Sequence, residues 1–174
     1  MHMRRIIPLS ATLLALLVVG CATRQPLPTV KSVDLKRYSG KWYEIGRYPN
    51  WFQRNCAGAA TATYTPLPDG KIGVVNSCVD KKGKPMGVKG TATVVPGSGN
   101  AKLKVKFFGP FAGDYWVIGL DEKDYSWALV GHPSRKYLWI LGREPKMDAK
   151  LYERILALAD ERGYDVSRIQ KTSQ

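Results

Sequence analysis

From Gly40 onward, apolar residues recur at every second position in short runs separated by clusters of Gly, Pro, Asn and Asp, the pattern of antiparallel strands joined by turns. Eight such runs fall at about 41–48, 56–65, 70–79, 86–95, 101–108, 114–121, 125–131 and 137–143. The clearest is Ala101 to Phe107, where Lys102, Lys104 and Lys106 take one face and Leu103, Val105 and Phe107 the other, so one side of the sheet is wet and the other greasy. Val88, Gly90, Ala92 and Val94 form a similar inner row with small members. After Arg143 and Pro145 the period lengthens to about 3.6 residues. Asp148 caps a helix that runs to about Glu161, with Leu151, Ile155, Leu158 and Ala159 on one stripe and Gly163 as its stop. A last short strand is expected within 165–171. The fold class is therefore all-β: eight antiparallel strands, closed as a barrel or packed as a sandwich, with one C-terminal helix against the outside.

The region before Gly40 has a different grammar. Met1 to Arg5 is basic, Ile6 to Val19 is largely apolar, and Gly20-Cys21 follows, which reads as an export signal over residues 1–20. The apolar stretch would reach about 21 Å as a helix, short of the roughly 30 Å hydrocarbon core of a bilayer, so a permanent span is the weaker reading. Residues 21–33 are polar and proline-containing, as a tether is, and 34–174 form the one folded domain. Cys56 and Cys78 flank the hairpin whose turn is Pro66 to Gly70, and in an exported chain they are expected to pair as a disulfide. The formal charge of +13 falls to +11 when Arg4 and Arg5 leave with the signal. In an exported protein this charge favours anionic lipid surfaces as partner rather than nucleic acid, or serves solubility alone.

Candidate chemistry narrows the reading further. The two histidines are His2, in the signal, and His132, in a turn, too few for a zinc site or a Ser-His-Asp triad. No phosphate loop, dinucleotide fingerprint or Gly-x-Ser-x-Gly occurs. The sequence thus suggests a binding protein rather than an enzyme, with no cofactor or metal; an enzyme acting on a lipid or isoprenoid held inside the sheet, and a structural or interaction module filled by its own side chains, are the alternatives.

Three short motifs carry a resemblance. Gly40-Lys41-Trp42, Lys123-Asp124-Tyr125 and Arg143 resemble, in order and spacing, the three motifs of the lipocalin family. Lys41-Trp42-Tyr43-Glu44-Ile45, Phe107-Phe108-Gly109-Pro110-Phe111 and Tyr137-Leu138-Trp139-Ile140-Leu141-Gly142-Arg143 look like the bacterial lipocalins, a lipoprotein branch related to apolipoprotein D. The likeness covers roughly residues 34–170. Leu17-Val18-Val19-Gly20-Cys21 similarly resembles a bacterial lipobox, which implies that Cys21 carries lipid, and Ala22 after it implies sorting to the outer membrane, facing the periplasm.

The resemblance implies an up-and-down eight-stranded barrel; lipocalins are themselves the standard example of one with room for a small ligand. It implies that Gly40, Trp42, Asp124, Tyr125 and Arg143 meet at the closed end, with Arg143 across Trp42 as a structural plug. It also implies a fatty acid or lysophospholipid as ligand, stored or transported for membrane maintenance under stress, and allows a homodimer. If the first strand starts at the closed end, the turns 49–55, 79–85, 109–113 and 132–136 form the mouth. Trp51, Phe52, Phe108 and Phe111 then sit among Arg54, Lys81, Lys82, Lys84, Arg135 and Lys136, which suits an amphiphile with an acyl tail and an anionic head. The expected pocket lining is Val74, Val88, Val105, Phe107, Tyr115, Val117, Trp139 and Leu141, with Tyr115 available to a headgroup or glycerol. Strands six to eight are apolar on both faces, so Trp116, Trp127, Leu138 and Ile140 compete for the inward positions.

Overall fold

A computed structural model describes residues 25–174; the expected signal and Cys21 lie outside the described residues. Eight antiparallel strands form a meander: β1 Gly40–Arg47, β2 Gly58–Pro66, β3 Ile72–Val79, β4 Pro85–Val94, β5 Lys102–Lys106, β6 Gly113–Leu120, β7 Trp127–Gly131 and β8 Leu138–Gly142. β8 returns to pair with β1, and β1 pairs with β2, so the sheet closes into a barrel and loses its edges. β1 meets β2 only from Gly40↔Tyr64 to Tyr43↔Thr61. Beyond Tyr43 the C-terminal residues fill the gap. The short strand β9, Gln170–Lys171, pairs with Arg47 and Gly46, and Ala59 donates its N–H to the Ser173 carbonyl at 2.7 Å.

The alternation along the strands separates two cores. Inside the barrel lie Trp42, Tyr64, Val74, Leu103, Val117 and Leu141. Outside it, Ile45, Ile118, Leu129, Leu138 and Ile140 pack under the helix α2, Ala149–Glu161, through Tyr152, Ile155 and Ala159. Asp148 caps that helix by accepting from the Leu151 N–H at 2.9 Å, and Gly163 ends it at φ +79°, a conformation that favours glycine. The contact is close enough that a Cβ on Gly119 would lie 2.6 Å from Leu158 Cδ2. Burying a side chain such as Ile155 contributes about 2–3 kcal/mol, which is why one greasy stripe suffices to dock the helix.

Three departures from the sequence expectation have local causes. A one-turn helix, α1 Leu35–Tyr38, precedes β1; Asp34 caps it by accepting from the Lys36 and Arg37 N–H groups at 2.9 and 3.2 Å, and four residues are too few to show a period. The seventh strand starts at Trp127 rather than 125 because Tyr125 sits in the turn at φ +55°. Residues 25–33, read as tether, are packed instead: Leu27 and Val33 are buried, Val30 donates to the Val117 carbonyl at 3.0 Å, and Val33 donates to the Gly99 carbonyl at 2.8 Å. This segment is a strap along the barrel.

Candidate functional site

Strand β1 starts at one end of the barrel and hands the chain to the loop 48–57 at the other. The starting end is closed by the sequence motifs. Trp42 is fully buried and donates its indole N–H to the Tyr38 carbonyl at 2.8 Å. The Arg143 guanidinium lies 3.8 Å from the Trp42 ring centroid and donates to the carbonyls of Tyr125, Lys41 and Arg37 at 3.3, 2.9 and 2.6 Å. One planar cation thus fastens α1, β1 and the β6–β7 turn together. Gly40 starts the strand at φ +93°, a backbone conformation that favours glycine, and a Cβ there would only touch Arg143 Nη1, at 3.5 Å. In the turn, Tyr125 Oη accepts from the Asp34 N–H at 3.0 Å and its ring carries Arg37. Asp124 is exposed. The neighbouring Asp121 organises the turn, accepting from the Asp124 and Ser126 N–H groups at 3.3 and 3.2 Å and from the Ser126 hydroxyl at 2.5 Å. Burial raises the Asp121 pKa, but those hydrogen bonds outweigh it and the net shift is downward.

Above this plug the barrel is apolar. Val74, Val117 and Leu141 are buried in its wall, and Val105, Phe107, Tyr115 and Trp139 pack on them half-buried. Val88 lies opposite Asn76, in register with Gly90 and Ala92 on the inner row, and is half-buried. Leu138 and Ile140 take the opposite face under α2, with Trp116 and Trp127 packed against that outer core. Strands six to eight are greasy on both sides because one side holds the barrel's contents and the other holds the helix.

Two tyrosines that strand periodicity did not single out change the interior. Tyr115 Oη lies 2.8 Å from Tyr38 Oη and 2.9 Å from Tyr64 Oη. The hydroxyl expected to meet a headgroup is therefore engaged by two neighbours. Burial pushes the Tyr64 pKa up to about 12 and holds those of Tyr38 and Tyr115 well above the ordinary phenol value. The cluster fills the lower barrel and leaves a cavity of about 10 Å³ there, the room of roughly one water molecule. Tyr64 had a signal, since Ala60, Ala62 and Tyr64 alternate along β2, whereas Tyr38 sits on the helix too short to show one.

Toward the mouth the wall gains polar groups that sequence reading passed over. Glu44 is buried on β1; its carboxylate accepts from Arg47 Nη1 at 2.5 Å, Thr172 Oγ1 at 2.6 Å and Gln53 Nε2 at 2.7 Å. Gln53 in turn accepts from the Trp139 indole N–H at 3.0 Å, which fixes that ring at the mouth. The one available signal was a glutamate at inward parity, two residues after Trp42. Arg47 Nε and Asn76 Oδ1 are buried with no hydrogen-bond partner, a donor and an acceptor left over in strands leading to the mouth.

The mouth loops themselves are exposed: Trp51 at 72%, Phe108 at 77% and Phe111 at 85%. Arg54, Lys81, Lys82, Lys84 and Lys136 share these loops and are exposed. Arg135, expected beside them, is buried instead, donating to the Arg162 carbonyl at 2.6 Å and the Gln25 carbonyl at 3.0 Å. A Cys56–Cys78 disulfide ties the first mouth loop to the end of β3.

Comparison with known proteins places this geometry. A family profile described as the Lipocalin-like domain matches residues 33–174. The chain is 41% identical over 169 residues to the outer membrane lipoprotein Blc of Escherichia coli K12, covering 94% of each. It is 42% identical over 159 residues to temperature-induced lipocalin-1 of Arabidopsis thaliana, covering 87% of this chain and 84% of the relative. Mouse apolipoprotein D matches at 31% over 156 residues, covering 84% and 80%. Among solved structures, insecticyanin from the tobacco hornworm Manduca sexta superposes with a TM-score of 0.67 at 23% identity over 84% of this chain and 83% of that one, a likeness of fold.

Proposed function

Because the chain belongs to the lipocalin family, we propose that it is a lipid-binding protein anchored through Cys21 in the outer membrane. There it faces the periplasm and stores or moves fatty acids or lysophospholipids for membrane maintenance under stress. The observation that carries this reading is the wall leading to the mouth, where Phe107 and Trp139 pack half-buried on the inner core and Val88 shares the inner row, below loops that bear exposed cations. An acyl tail would lie against that wall, and each methylene it buries would contribute about 0.8 kcal/mol before ordering costs. The unpartnered Arg47 Nε suits an anionic head and Asn76 Oδ1 suits a hydroxyl, so a lysophospholipid or fatty acid answers both kinds of leftover group. The names of the E. coli and plant relatives, an outer membrane lipoprotein and a temperature-induced lipocalin, support the location and the link to stress.

One observation favours a second reading, a barrel filled by its own side chains: the void beside the tyrosines is only about 10 Å³. On the lipid-binding reading, the tail occupies the mouth half and the tyrosines are its floor. Native mass spectrometry of the chain from Ala22, purified without detergent and followed by lipid extraction, separates the two. A co-purified fatty acid or lysophospholipid near one per barrel is the expected result. An empty barrel that also refuses added lysophospholipid would establish the filled one.

A further inference from the structure

We propose that the mouth of the barrel is a membrane-docking face, on which Trp51, Phe52, Phe108 and Phe111 seat in the headgroup boundary of an anionic bilayer while the loop cations meet its phosphates. This goes beyond the binding of a lipid cargo inside the barrel and is independent of it; only the part played by Cys21 rests on the anchor reading given above.

The first support is where the apolar exposure lies. Among the described residues six large hydrophobics are exposed: Trp51, Phe52, Val75, Met86, Phe108 and Phe111. Scattered singles are ordinary, but four of these six sit on the β1–β2 and β5–β6 loops, which the meander brings to one end. Trp51 and Phe52 meet edge to face with centroids 5.7 Å apart, and Phe52 packs toward Tyr137 and Trp139, so the platform beneath the tips is fixed by the barrel.

The second support is charge. Arg54, Lys81, Lys82, Lys84 and Lys136 are exposed on the loops of this end, and the two acids on or beside those loops, Asp80 and Asp114, are taken up locally. Asp80 accepts from the N–H groups of Lys82 and Lys84 at 2.8 and 2.9 Å, and Asp114 pairs with Lys104 at 2.7 Å. Aromatic tips in a cationic ring are complementary to anionic headgroups over an acyl layer.

The third is the path of the strap. Its Gln25 carbonyl is held by Arg135, in the β7–β8 loop at the mouth, and from there the strap runs away to Val33 beside Gly99 at the β4–β5 turn. Gln25, the first described residue, therefore lies at the mouth end. Cys21 is four residues earlier, within about 14 Å even when extended, so a lipid on that cysteine draws this end to the bilayer. The opposite end has none of the exposed large hydrophobics among the described residues, and exposed lysines there, Lys36, Lys41, Lys71 and Lys123, stand among the acids Asp34, Asp69, Glu122 and Asp124.

Flotation of residues 22–174, which contain both described cores but no lipid, tests the proposal with vesicles containing phosphatidylglycerol and with vesicles of phosphatidylcholine alone. Binding to the anionic vesicles is expected, weakening with salt, and Phe108→Ser/Phe111→Ser should lower it at least about tenfold with the near-UV spectrum unchanged. A second variant, Lys81→Glu/Lys82→Glu/Lys84→Glu, should remove the preference for anionic lipid. No flotation of the unsubstituted chain, or flotation indifferent to both sets of substitutions, would overturn the proposal. So would a dimer that Phe108→Ser/Phe111→Ser converts to monomer without any vesicle binding, since the face would then be a self-association surface. Failure to find cargo by native mass spectrometry leaves this test standing, because it probes the tips and not the interior.

Discussion

The two ends of the barrel are built from the same materials and use them in opposite ways. At the closed end an aromatic ring and a cation, Trp42 and Arg143, are locked by four hydrogen bonds and a stacking distance of 3.8 Å, and Trp42 has no exposed surface. At the mouth, Trp51, Phe108 and Phe111 stand largely in water beside lysines that touch none of them among the cation–ring contacts of the described residues. Aromatic-plus-basic composition therefore predicts neither stability nor binding until the backbone fixes which groups converge. Three carbonyls aimed at one guanidinium make a joint; loops that point rings outward make a surface.

The comparison breaks most sharply at Trp42. Trp42→Ala should cost about 3–5 kcal/mol by urea unfolding, through the cavity it leaves and the support Arg143 loses. Arg143→Ala should cost roughly 2–3 kcal/mol, because three carbonyls lose a charged donor and the ring loses its cation. If either variant unfolds with the midpoint of the parent, the closed end is not the joint described.

Next in size is the tyrosine cluster. Tyr64 is pushed up to about 12 by burial, so its folded pKa exceeds the ordinary value near 10. Its contribution is complete below about pH 10 and is lost as pH rises toward 12, by up to roughly 2–3 kcal/mol from Tyr64 alone. Tyr38 and Tyr115 shift in the same direction and add to the loss. The melting temperature should fall across that window, with the absorbance of ionised Tyr38, Tyr64 and Tyr115 appearing only on unfolding. Ionisation of these three before any loss of structure would show that the floor of the barrel is open to water.

Asp121 and Asp124 give a smaller contrast within one turn. Asp121→Ala should cost about 1 kcal/mol, the usual worth of a capping carboxylate, and Asp124→Ala close to nothing. Because hydrogen bonds hold the Asp121 pKa below its ordinary value, its contribution is present at neutral pH and disappears as pH falls through the lowered pKa. Equal costs for the two would return the turn to the family motif's aspartate.

These contrasts mark how far the sequence could be read. The inner face of β5 was legible because lysines label the outer one, and the α2 stripe because its period is strict. Strands β6 to β8 were not, since a helix on one side and the barrel's contents on the other demand apolar residues from both. Tyr38 escaped because a four-residue helix has no period, and Arg135 because a carbonyl partner 27 residues away leaves no local trace. The strap escaped because its polar, proline-containing composition is that of a linker, while two buried side chains, Leu27 and Val33, do the packing. Which of two aspartates turns its carboxylate into the turn is a question of backbone geometry alone.

Phe111 is the counterpart of Trp42 at the other end of the barrel. Phe111 is 85% exposed and none of the described ring contacts involves it, so Phe111→Ser should change stability by no more than about 0.5 kcal/mol. Urea unfolding of this variant beside Trp42→Ala measures the same type of loss, an aromatic ring, at the two ends. A cost near zero at the mouth against several kcal/mol at the plug means that the mouth ring contributes nothing to the folded state and leaves its apolar face free for something outside the chain. A cost comparable to that of Trp42→Ala would mean instead that the β5–β6 loop folds back onto the barrel in solution, and the mouth would then be a lid rather than a surface.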